Sequence, residues 1–116
     1  MILKADRIIT GDGSSVMEEK ALYIRDGKIN EIGEFHALRK KYPQSRVEEY
    51  VGATILPGLI DMHAHVGEYS DRRDAASYND FMIAYFAEDY ARKAFAKGVT
   101  TIRDVASPKN LCVSMN

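Results

Sequence analysis

Residues 55–66 read Ile55-Leu56-Pro57-Gly58-Leu59-Ile60-Asp61-Met62-His63-Ala64-His65-Val66, and this stretch decides the fold. Pro57-Gly58 punctuates the chain. From Leu59 to Val66 the run is apolar except at Asp61, His63 and His65. Such a run reads as a strand covered on both faces, the kind found in parallel sheets. Residues two apart on a strand point to one face, so His63 and His65 project side by side, roughly 6–7 Å apart at Cα. From there two imidazole nitrogens can converge on one divalent metal ion at roughly 2.0–2.1 Å. Asp61 has the same parity one step deeper, suited to fixing local geometry or to accepting a bond from a ligating ring. Met62 and Ala64 face the other way and are expected to pack under a helix. A lone H-x-H also arises by chance, so spacing alone leaves open an ordinary pair of surface histidines. Position adds weight to the metal reading. The pair interrupts an apolar strand at its C-terminal end, just before a polar loop, where ligands gather in parallel α/β folds. An unpaired polar side chain within such a run costs stability, which argues that it has a partner.

Downstream, a polar loop over 67–77 leads to the clearest helical pattern of the chain. Ile83, Phe86, Ala87, Tyr90, Ala91, Ala94 and Phe95 recur at helical spacing. Ser77 or Asn79 can cap the helix start, Asp80 suits its dipole, and Gly98 stands where a left-handed C-terminal cap belongs. Phe81, Tyr85, Phe86, Tyr90 and Phe95 read as packing residues and not as a ligand box. Val99 to Val105 alternates as a strand. Strand, helix, strand at this spacing predicts a βαβ unit with parallel strands. Residues 107–116 carry no periodic signal.

Upstream, residues 1–56 read as short strands separated by turns. Ile8-Ile9-Thr10 leads into the turn-forming cluster Gly11-Asp12-Gly13-Ser14, which lacks the strand-to-helix context of a phosphate loop. Ala21 to Arg25 and Lys28 to Ile32 flank Asp26-Gly27, a strong hairpin signal. A short helix over Glu34 to Lys41 is expected to stop before Pro43, and β character resumes from Arg46 to Leu56. This half reads as a small antiparallel β unit.

Together the segments resemble the amidohydrolase superfamily. Residues 55–66 look like its signature. Ile24-Arg25-Asp26-Gly27-Lys28-Ile29 with Ile32-Gly33 resembles the hairpin of its N-terminal β-sandwich. Gly98-Val99-Thr100-Thr101-Ile102-Arg103-Asp104-Val105 resembles its second barrel strand, in the branch of imidazolonepropionases and Xaa-Pro dipeptidase-like proteins. The resemblance implies an α/β protein with part of a β-sandwich over 1–56 and the start of a (β/α)₈ TIM barrel over 57–116. It implies one or two divalent metals, most often zinc, with His63 and His65 as two of the ligands. Such metals acidify water and polarise the scissile carbonyl, and the usual reaction cleaves a C–N bond in an amide, cyclic amide or dipeptide. The family's further ligands and its proton shuttle lie on later strands, so catalytic and substrate-binding residues stay unassigned. A barrel takes about 250 residues. The chain is therefore expected to be an N-terminal fragment that is inactive alone, with an oligomer possible for the intact protein. The competing expectation is a non-catalytic module with an interaction or vestigial role.

Composition sets the outer limits. The 116 residues are 46% hydrophobic and 28% charged with a net charge of −1, ordinary for a globular chain. Arg39-Lys40-Lys41 and Arg72-Arg73 are too short to track a phosphate backbone, so nucleic acid is not expected as a partner. No run reaches the ~20 apolar residues of a membrane span. One cysteine, Cys112, excludes an internal disulfide, and with no apolar leader at the N-terminus a cytoplasmic location is expected. Asp104, near the end of the second strand, reads as a structural hydrogen-bonding residue, with an approach to the site as the alternative, and Arg103 on the opposite face is weighed the same way. Glu68, Tyr69, Arg72 and Arg73 lie on the loop where substrate contacts often arise. His36 reads as exposed.

Overall fold

The computed structural model describes residues 1–13, 16–67 and 78–107. Contacts divide the chain after Pro57 into two compact units. The first unit holds β1 (Ile2–Ile9), β2 (Val16–Glu18), β3 (Lys20–Arg25), β4 (Lys28–Glu34), α1 (Phe35–Lys41) and β5 (Val47–Ile55). The second holds β6 (Leu59–Ala64), α2 (Asp80–Ala96) and β7 (Val99–Asp104).

In the first unit β1 is the central strand. β2 and β3 pair with it antiparallel, Arg7 opposite Glu18 and Lys4 opposite Ala21, on one continuous line interrupted at Glu19, whose φ is 55°. The β3–β4 hairpin turns at Asp26 (φ 52°) and Gly27 (φ 71°), the paired positive angles a two-residue turn requires. α1 then carries the chain back, and β5 lies on the other side of β1, parallel to it, with Ile2 beside Val47. The antiparallel reading of this half therefore fails at β5. Alternation of side chains reports which face a residue takes, not the direction of the strand, and α1 supplies the crossover that a parallel neighbour needs. Ile2, Ala21 and Leu38 form the core here, with Tyr23, Phe35, Tyr42 and Val47 packed on it and Tyr23 stacked on Tyr42 at 3.6 Å between centroids. Arg39 closes the end of α1, donating to the Pro43 and Ser45 carbonyls at 2.8 and 2.9 Å.

In the second unit β6 and β7 are parallel neighbours with α2 between them in sequence, the expected βαβ order. Asn79 caps α2 by accepting from the Met82 amide at 3.0 Å; Ser77, the other candidate, lies outside the described residues. Gly98 follows the helix at φ 88°. Ala64, Val66 and Ala87 form the core, with Tyr90 and Ile102 against it. A Cβ on Gly58 would stand 2.7 Å from the Thr100 Cβ, so the first strand enters beside β7 at a distance only glycine permits.

Two packing expectations change. Ile60 and Met62 are 60% and 57% exposed, and of the residues on that face only Ala64 lies buried beneath α2. The β6–β7 register shifts between Asp61 and Ala64. Phe81, Tyr85 and Phe95 are exposed as well. At 3.6 residues per turn they fall on the side of α2 opposite Ile83, Ala87 and Tyr90, and so point away from the strands.

Candidate metal centre

The end of β6 is built by its neighbours. The Ala64 carbonyl accepts from the Val105 amide at 2.9 Å, and the Val66 amide donates to Asp104 Oδ1 at 3.2 Å. Ser107 Oγ donates to the Val66 carbonyl. These bonds join the C-terminal ends of the two parallel strands, where side chains of both can face one site.

His63 and His65 emerge there together. Their ring centroids lie 5.3 Å apart at 64°. His63 is exposed and His65 half-buried. His65 Nδ1 lies 3.2 Å from the Ala106 carbonyl. A carbonyl can only accept, so Nδ1 donates this bond. The bond fixes the orientation of the ring against the backbone.

Asp61 has two partners. Its Oδ1 accepts from the His63 amide at 3.0 Å, and its Oδ2 accepts from the Tyr90 hydroxyl at 3.3 Å. Burial first, then the Asp61 carboxylate, its hydrogen bond and the Asp104 charge, push the Tyr90 phenol above its usual range. The phenol stays protonated and donates. Asp104 is half-buried and bonded to the Val66 backbone, while Arg103 is exposed. His36 is exposed, its ring 5.4 Å from Phe35. Glu68, Tyr69, Arg72, Arg73 and Cys112 lie outside the described residues. Among the described residues no group of three or more His, Cys, Asp or Glu converges as a complete metal cage. Also among them, no helix is long and apolar enough to cross a membrane.

Tyr90, read from the sequence as a packing residue, is the polar contact that pattern reading misses. A signal was there: a phenol among alanines on a buried helix face needs a partner for its hydroxyl.

No family model matches the chain. Individual proteins do. The chain is 30% identical over 111 residues to an enamidase from Eubacterium barkeri, covering 93% of this chain and 25% of that protein. It is 27% identical over 82 residues to an imidazolonepropionase from Pyrobaculum arsenaticum, covering 64% of this chain and 21% of that one. The crystal structure of ochratoxinase from Aspergillus niger superposes with a TM-score of 0.74 at 28% identity, over 90% of this chain and 25% of that chain. The chain thus spans about a fifth to a quarter of the length of these relatives.

Proposed function

From relatives that point to the amidohydrolase superfamily, we propose that the complete protein is a metal-dependent hydrolase of C–N bonds, with His63 and His65 as two of its metal ligands. Enamidase, imidazolonepropionase and ochratoxinase lend the reaction class, and a small amide, cyclic amide or dipeptide is the corresponding substrate class. In this reading residues 1–56 contribute to a β-sandwich and residues 57–116 begin a (β/α)₈ barrel, whose later strands supply further ligands and the proton shuttle.

The observation that carries the reading is the paired imidazoles at the end of β6, with His65 Nδ1 against the Ala106 carbonyl. Two imidazole nitrogen donors at the end of a parallel strand pair suit a borderline cation, and zinc is the first candidate. Such a cation supplies Lewis acidity, acidifying water and polarising the carbonyl to be attacked. The chain's own residues do the holding. Asp61 fixes the His63 backbone, Ala106 orients the His65 ring, and Asp104 and Ser107 pin the Val66 peptide behind them.

The test is the complete protein supplied with zinc and a panel of N-acyl amino acids, cyclic amides and dipeptides. His63→Ala combined with His65→Ala is expected to lose bound zinc and hydrolysis together. Unchanged zinc content and turnover in that variant would overturn the assignment. The 116-residue chain alone, with two ligands, is expected to hold zinc weakly and to show no turnover.

A further inference from the structure

Tyr90 packs its ring against Ala64, Val66 and Ala87, and packing alone would be served by phenylalanine. Its hydroxyl does more. It donates to one oxygen of Asp61 while the other oxygen accepts from the His63 amide, so one carboxylate links α2 to the backbone of the first histidine. The location matters. Asp61 is paired with Ile102 and Ala64 with Asp104, but the register shifts between them. His63 therefore sits where the strand ladder is irregular and does not by itself set the peptide.

We propose that Tyr90 is a positioning residue for the histidine pair: through Asp61 it holds the His63 peptide, and hence the direction of that imidazole, relative to His65. The half-buried ring anchors the hydroxyl, the hydroxyl orients the carboxylate, and the carboxylate fixes the amide. His65 is oriented separately, by the Ala106 carbonyl. Each histidine has a backbone restraint, and that of His63 reaches back to the helix. The inference rests on His63 and His65 being metal ligands, and its test separates the two claims.

The metal-free complete protein is titrated with Co(II), and the ligand-field absorption and dissociation constant are read. His63→Ala combined with His65→Ala is expected to remove at least one equivalent of bound Co(II); retention of full stoichiometry overturns the ligand assignment itself. With that assignment standing, Tyr90→Phe is expected to weaken Co(II) binding about 10-fold, the lower end for groups behind metal ligands, and to shift the absorption band. Unchanged affinity and band would overturn the role of Tyr90. In an Asp61→Ala background the same substitution is expected to have no further effect, because its route to His63 is gone. An equal loss in both backgrounds would show that the Tyr90 hydroxyl acts by a route other than Asp61 and would overturn the proposal. Should Tyr90→Phe fail to fold, Asp61→Asn carries the test: it leaves the Tyr90 ring in place and disturbs only the link. A normal Co(II) band and affinity in Asp61→Asn would overturn it equally.

Discussion

Glu31 accepts from Lys41 Nζ at 2.8 Å and from the Tyr42 hydroxyl at 2.9 Å, fastening β4 to the end of α1. The Lys41 bond first, and then the Tyr42 bond, hold the Glu31 carboxyl below its usual range, while the same Glu31 bond raises Lys41 above its own. The Glu31 contribution to stability is thus in place above the pH where the unfolded carboxyl titrates, and is lost as pH falls through the lower folded value. The Lys41 contribution is in place below the unfolded ammonium's titration and is lost as pH rises through the raised value. Both groups face solvent, so the effect is small. Lys41→Met is expected to move the Glu31 titration upward, which an NMR titration of its side-chain carboxyl would read; an unmoved midpoint would contradict the pairing. Reading the sequence reaches residues unevenly at this scale. His63 and His65 were legible because strand parity brings them together whatever surrounds them. Tyr90 was not, since spacing cannot tell a phenol that packs from one that also donates across to another element.

Between elements, the clearest sequence signals were those with a local cause. Asp26-Gly27 adopts the positive angles of its turn, and Asn79 caps α2, because both depend only on adjacent residues. Strand direction depends on the whole path of the chain, and so the parallel pairing of β5 with β1 escaped the pattern. The fit of Gly58 beside Thr100 is also non-local. Gly58→Ala is expected to destabilise the second unit by about 1–3 kcal/mol, the usual cost of overpacking. Thr100→Gly should recover part of that loss, because it removes the Cβ the new methyl would strike. Thermal unfolding of the single and double variants checks it, and a double variant no better than Gly58→Ala would show that the strain lies elsewhere.

For the chain as a whole, the outward side of α2 has a physical consequence of its own. Phe81 and Phe95 are 87% and 70% exposed, with Tyr85 beside them and the Glu88–Arg92 and Asp89–Lys93 ion pairs nearby. A stripe of large exposed aromatics favours association. The 116-residue chain is expected to self-associate in sedimentation as concentration rises, and Phe81→Glu with Phe95→Glu to shift it toward monomer. Concentration-independent sedimentation of the original chain would refute this. The central place of β1 bears on something else, the order of assembly. β1 has partners on both sides, and one of them, β5, comes last in chain order among the strands of its unit. The local β3–β4 hairpin can close early, whereas the Ile2–Val47 contact must wait for a long loop to form. Until then one edge of β1 stands open, and the slow closing of that edge sets the interval in which the newborn chain is most exposed to mispairing.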